Sequence, residues 1–77
     1  MVIWFVLINT SPTDEHMVYN QLCRMDEIEY VYPLFGEWDL IIKLVADSDM
    51  ILEKVIIEKI KTIKGVLAVK TLTGRFH

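Results

Sequence analysis

Three observations predict an α+β fold of order βαββαβ for this 77-residue chain. Four short runs are dominated by Val, Ile, Leu and aromatic residues, the composition that suits a pleated, packed surface. Two other stretches repeat apolar residues at spacings of three and four, which places them along one stripe of a helix. Each helical stretch separates two strand runs, whereas only a short turn separates the second run from the third. Right-handed crossovers over the two helices then lead to a split βαβ, ferredoxin-like arrangement: a four-stranded antiparallel sheet with both helices on one face.

The first strand is Val2 to Asn9, β-branched and aromatic throughout, and reads as apolar on both faces. Thr10-Ser11-Pro12 ends it. Ser11 is placed to cap a helix, Pro12 suits the first helical position, and Asp14 follows three residues after Ser11 in a capping-box pattern. The helix runs to Met25 with Val18, Leu22 and Met25 as its stripe and Tyr19 and Cys23 beside it. Glu29 to Phe35 is the second strand, and Pro33 assigns it to a sheet edge because proline has no N–H for a ladder. Gly36-Glu37 forms a tight turn into the third strand, Asp39 to Ala46. Asp47-Ser48-Asp49 caps the second helix, whose stripe is Leu52, Val55, Ile56, Ile60 and Ile63. Lys59 falls inside that stripe and must reach solvent or an acid. Ile51 and Ile57 fall outside it and add apolar surface. Lys64-Gly65 ends the helix, Val66 to Thr73 is the fourth strand, and Gly74 to His77 is a tail.

The composition is rich in apolar residues for so short a chain, 53% hydrophobic with a mean hydropathy of +0.36. A domain of this size gains only about 3–5 kcal/mol from its own core and usually carries a staple. Cys23 is the only cysteine, so no internal disulfide is available. His16, Cys23 and His77 are the only His and Cys residues, and their spacing is not that of a chelate. A partner chain remains. Two helices cover one sheet face only, so the apolar face opposite is expected to pack on a second copy, a homodimer joined through its sheets as a dimeric α/β barrel. The longest apolar run, Met1 to Ile8, falls far short of the roughly 20 residues of a membrane span. No cationic segment precedes it as in a signal peptide. With one unpaired cysteine, this points to the cytoplasm.

Charge argues against nucleic acid. Residues 1–40 carry one base and seven acids, net −6, and residues 41–77 carry seven bases and four acids, net +3. Lys54, Lys59, Lys61 and Lys64 are interleaved with Glu53 and Glu58, as on a solvated helix face rather than a phosphate-binding one. No nucleophile has an adjacent base, and no glycine-rich loop could cradle phosphate. The chain is therefore expected to be neither an enzyme nor a cofactor carrier. An enzymatic or haem-binding barrel of similar topology would have to rely on His16, at the edge of the first helix, and a purely structural assembly module is the other alternative.

One cluster bears on ligand chemistry. Gly36-Glu37-Trp38-Asp39 puts a permissive backbone, a large aromatic and a carboxylate at the sheet rim. Read from the residues, this is either a hairpin turn in which Asp39 bonds nearby amides, or a site where Asp39 holds an ammonium and exposed amides near Gly36 take an opposite charge. Thr71 and Thr73, two apart on the fourth strand, offer hydroxyls.

The spans "FVLINT", "IEYVYPLFGEWDLIIKLVADS" and "LEKVIIEKIKTIKGVLAVKTLT" resemble the effector-binding (RAM) domain of the Lrp/AsnC regulator family over Val2 to Thr73. The most specific pieces are Gly36-x-x-Asp39, the "EKI" of Glu58 to Ile60, and "IKGV" leading to Thr71. The resemblance implies a ferredoxin-like domain that dimerises through its sheets and builds rings of eight or ten subunits, with an amino-acid effector bound between dimers. It places the ligand motif on Gly36, Trp38 and Asp39, with Asp39 meeting the amino group and Leu34, Thr71 and Thr73 as secondary contacts. Typical members begin with a helix-turn-helix domain. This chain begins at the first strand of the effector domain and so resembles a stand-alone version that acts without DNA contacts of its own, through co-assembly with full-length regulators or by sensing an amino acid.

Overall fold

The computed structural model describes residues 1–72. Within them the order is β1 (Val2–Thr10), α1 (Glu15–Cys23), β2 (Ile28–Pro33), β3 (Leu40–Ala46), α2 (Asp49–Val55) running on into a π-helical turn (Ile56–Ile60), and β4 (Val66–Leu72). The sheet order is β2-β3-β1-β4, with every neighbouring pair antiparallel. This is the ferredoxin-like α+β arrangement expected, with β2 at an edge as Pro33 required.

Strand alternation divides the sheet into two faces. On β1, Val6, Ile8 and Thr10 are buried; they share a face with Leu40, Ile42 and Leu44 of β3 through the pairs Val6↔Ile42 and Ile8↔Leu40. The helices close over this face with Val18 and Leu22 of α1 and the stripe Leu52, Val55, Ile56, Ile60 and Ile63, all buried as the helical spacing predicted. The opposite face carries Ile3, Phe5 and Leu7 of β1, Ile41, Lys43 and Val45 of β3, Tyr30 and Tyr32 of β2, and Leu72 of β4. Neither helix covers it: Ile3 is 48% exposed and Tyr32 58% exposed. The apolar excess therefore lies on the side opposite the helices, with Ile51 and Ile57 also exposed on the outer surface of the second helix.

The uncovered face is not uniformly apolar. Glu29 marks an irregularity in the β2 register, and its Oε2 meets Lys43 Nζ at 2.7 Å. That contact, a hydrogen bond and ion pair together, raises the Lys43 pKa above the usual lysine value. Lys43 Nζ also lies 5.9 Å from the centre of the Tyr30 ring, which packs at 4.7 Å against Tyr32.

Four local expectations require correction. Ser11 does not cap α1: its backbone N–H donates to Gly65 O, its hydroxyl meets Thr13, and Asp14 occupies the N-cap position without a side-chain bond. Residues 12–14 form a turn, and the helix starts at Glu15. Cys23, set beside the apolar stripe by its spacing, closes the helix in an exposed position. The β2–β3 connection is longer than a two-residue turn, with Leu34 N–H donating to Asp39 O across a loop of four residues. Finally, the second helix widens at Ile56–Ile60, where Lys61 N–H reaches back five residues to Ile56 O and the Thr62 hydroxyl donates to Glu58 O and Lys59 O. Ser48 caps α2 as expected, its Oγ accepting from Ile51 N–H. Trp4 Nε1 donates to Asp49 Oδ1 at 2.8 Å and fixes the start of α2 to β1. Lys59 finds an acid, with Glu27 Oε2 at 3.2 Å.

Candidate functional site

The hairpin loop between β2 and β3 stands at the end of the sheet where β1 finishes and β4 begins. Gly36 has φ of +126°, a backbone region that residues with a side chain rarely adopt, and beyond its own chain neighbours no described atom lies within 4 Å of where its Cβ would be. The loop therefore projects away from the body. Phe35 and Glu37 are exposed, and Trp38 is half-buried where the loop returns to the sheet.

Asp39 anchors that return three times. Its N–H donates to Ile8 O at 3.0 Å, its carbonyl accepts from Leu34 N–H at 2.8 Å, and its Oδ2 accepts from Thr10 N–H at 2.8 Å. The carboxylate thus occupies the place where the β1–β3 ladder would continue, and extends it with a charge-assisted bond. Its second oxygen, Oδ1, makes no hydrogen bond among the described residues.

One residue before that donor, Thr10, stands a residue that the sequence reading left at the end of an apolar strand. The β1–β3 pairing ends at Ile8 and Leu40, and Asn9 is the next residue of β1, immediately before Thr10 whose N–H bonds Asp39 Oδ2. Asn9 Oδ1 is buried with no hydrogen-bond partner among the described residues, and Thr10 Oγ1 shares that condition. Buried polar atoms are nearly always paired, and an unpaired one costs about 1–3 kcal/mol. The sheet is irregular at the same point: the β1–β4 register shifts between Asn9 and Thr10, leaving Leu67 as an extra residue on β4. Bulges of this kind commonly re-aim side chains beside functional sites. A single polar residue closing the run V-I-W-F-V-L-I-N was the available signal.

Of the expected site residues, the structure groups Leu34, Gly36, Trp38 and Asp39 in one loop. Thr71 stands apart. It pairs with Val6 on the helix-covered side, four residues along β1 from Thr10, or roughly 13 Å at strand spacing. Thr73 lies outside the described residues, as does His77. His16 is exposed on the first turn of α1 and, with Glu15, Tyr19, Pro33 and Leu40, lines an open depression of about 300 Å³ on the helix side of the hairpin. Among the described residues no cluster of three or more His, Cys, Asp or Glu side chains could hold a metal ion.

A one-sided α/β sandwich with an uncovered apolar sheet face, and a backbone-anchored carboxylate at its rim, defines a class of small ferredoxin-like α+β domain. The family comparison specifies the class. Residues 3–73 match the model of the Lrp/AsnC ligand binding domain, and the chain belongs to that family. It is 34% identical over 65 residues to an uncharacterized HTH-type transcriptional regulator of Pyrococcus furiosus, an alignment that takes in 80% of this chain and 43% of the relative. The chain thus spans less than half the length of the curated relatives it matches. Among solved structures it superposes on FFRP-DM1 with a TM-score of 0.90 at 33% identity, covering 94% of this chain and 96% of that one. It superposes on AsnC of E. coli with a TM-score of 0.85 at 30% identity, covering 91% of this chain and 48% of that one. No helix of the described residues is long and apolar enough to cross a membrane.

Proposed function

We propose that this chain is an oligomeric effector-sensing module that binds an amino acid at the β2–β3 loop, with Asp39 receiving the α-ammonium group. The observation that carries this reading is the acceptor left at the loop's base. Asp39 gives one oxygen to Thr10 N–H, and its other oxygen makes no hydrogen bond among the described residues. A carboxylate oxygen available to a donor suits a primary ammonium, which brings only donors. The open backbone around Gly36 suits the carboxylate of the same ligand, with Trp38 and Leu34 as apolar neighbours. Thr71, remote from Asp39 within one chain, enters the site from an adjoining copy.

The uncovered sheet face makes the homodimer part of the same reading. Phe5, Leu7, Ile41 and Val45 form an apolar band that a matching face of a second copy would bury, and dimers then assemble into a ring of eight or ten subunits. Since its relatives are HTH-type regulators, the module acts in the cytoplasm on transcription or amino-acid metabolism by mixed assembly with other family members. A thermal-shift screen against the common amino acids, run beside native mass spectrometry, tests the proposal. At least one amino acid should raise Tm in a concentration-dependent way, in a species no smaller than a dimer. A flat response to all of them removes the ligand half of the reading, and a stable folded monomer removes the assembly half.

A further inference from the structure

Lys43 stands in the middle of the uncovered apolar face. It pairs with Phe5 of β1 on one side and Tyr30 of β2 on the other, and Ile41 and Val45 flank it along β3. A cation enclosed by apolar neighbours is costly to cover unless an acid accompanies it. The chain supplies that acid by a break in its own strand pattern. Ile28 pairs with Leu44 and Tyr30 with Lys43, so Glu29 is an extra residue of β2, the arrangement of a β-bulge. The bulge lets Ile28 turn into the core under the helices while Tyr30 comes to lie beside Lys43 on the other face. Glu29, left over between them, reaches Lys43 Nζ with its Oε2 at 2.7 Å. The neighbouring Glu27 is engaged elsewhere, by Lys59.

Both side chains still meet water in the single chain, Lys43 being 24% exposed and Glu29 54% exposed. A second copy laid over the face removes much of that water, and the pair must then satisfy itself. We propose that the Glu29–Lys43 pair is what lets this face close on a second copy of the same chain, Glu29 neutralising a lysine otherwise buried without a counter-charge. The compensation lies within one chain, so two identical faces meet with no net charge at their centres, as a contact about a twofold axis requires. Lys70, on the same face beside Leu7, stands on the outer strand β4 and is exposed, so water keeps its charge. The two members of the pair are unequal. Glu29 lies on an outer strand and turns back to solvent without Lys43, whereas Lys43 has apolar neighbours on both adjoining strands. The inference rests on the reading of the chain as a homodimer joined through its sheets, and adds the residues that decide whether the two faces can meet.

The test is the concentration at which half the chains are monomers, measured by analytical ultracentrifugation on the full chain and three variants, with far-UV circular dichroism reporting the fold. Glu29→Gln keeps the length of the side chain and removes its charge, and should raise that concentration about a hundredfold or more. Lys43→Met leaves Glu29 free to reach solvent and should dimerise at least as tightly as wild type. The double variant has no charge left to bury and should return to within about tenfold of wild type. If Glu29 serves only to shape the bulge, the double variant fails as Glu29→Gln does, in assembly or in folding, and that result overturns the proposal. A Glu29→Gln protein that dimerises like wild type overturns it as well, and so does a Lys43→Met protein weakened as much as Glu29→Gln. In these cases wild type is still a dimer and the sheet-to-sheet reading stands. A wild type that remains monomeric at every concentration overturns that reading, and the proposal with it.

Discussion

Substituting Asp39 by alanine and by asparagine separates the two tasks assigned to its carboxylate. In the folded chain its Oδ2 is the acceptor for Thr10 N–H at 2.8 Å, and Thr10 is only 5% exposed. Asp39→Ala leaves that donor unpaired in a place water hardly reaches, a loss of about 1–3 kcal/mol. For a domain of this size each kcal/mol moves Tm by about 4–8 °C, so the expected fall is on the order of 10 °C. Asp39→Asn keeps an oxygen in the same position and gives up only the charge assistance, a loss of about 1 kcal/mol and a fall of about 5 °C. The ligand response should follow a different order. An amide cannot neutralise an ammonium, so both variants should lose the stabilisation by amino acid, which in wild type reaches about 2.7 kcal/mol at a hundredfold excess over Kd. Differential scanning calorimetry with and without the responding amino acid reads both quantities. An Asp39→Ala protein that melts with wild type would refute the hydrogen-bond argument. An Asp39→Asn protein with an undiminished ligand shift would refute the assignment of the ammonium to this carboxylate.

Four further outcomes follow from the packing. Gly65 has φ of +101°, and a Cβ there would run into the Asp14 side chain, whereas Gly36 has open space; Gly36→Ala should therefore incur the left-handed backbone penalty of about 1–2 kcal/mol, with Gly65→Ala clearly worse, as read from urea midpoints. Leu52→Ala, at a fully buried position of the α2 stripe, should cost about 2–5 kcal/mol in the same assay. The Glu27 carboxylate is held below the usual carboxylate range, first by a hydrogen bond from its own backbone and then by Lys59, with burial opposing both. A depressed folded-state pKa gives stability that is present above the ordinary glutamate pKa and fades as pH falls through the folded value, so Tm should drop on acidification below about pH 4.5 and Glu27→Gln should flatten that limb. Leu7→Asp, in the middle of the uncovered sheet face, should leave a soluble monomer by light scattering, since one buried unpaired carboxylate per copy opposes the sheet-to-sheet contact.

The parts of this molecule that were legible in the sequence are those governed by periodicity. Leu52, Val55, Ile56, Ile60 and Ile63 recur at helix-like spacing in the sequence and all are buried, and Pro33 marks an edge strand because it has no N–H to share. What escaped the sequence depends on contacts between distant segments. Ser11 has the composition of a cap, yet Gly65, more than fifty residues later, takes its N–H and sets Asp14 over the glycine. The π-helical turn at Ile56–Ile60 shifts hydrogen bonds by one residue without altering the apolar pattern, so no pattern reports it. Cys23 lies on the apolar side of its helix by spacing, but the helix ends there and turns the thiol outward. At the candidate site, Gly36 and Asp39 were visible as a loop glycine and a strand-initiating acid. Asn9 was not, because its relevance arises from the contact of the next residue, Thr10, with Asp39 of a distant segment.

Backbone amide chemical shifts of the full chain, followed while the amino acid that raises Tm is titrated in, test the central claim most directly. The account predicts saturable shifts confined to Asn9, Thr10 and the loop from Leu34 to Asp39, together with any residues an adjoining copy contributes. Shifts that leave those amides unmoved and cluster elsewhere, as around His16 and Tyr19 in the α1 depression, would contradict it.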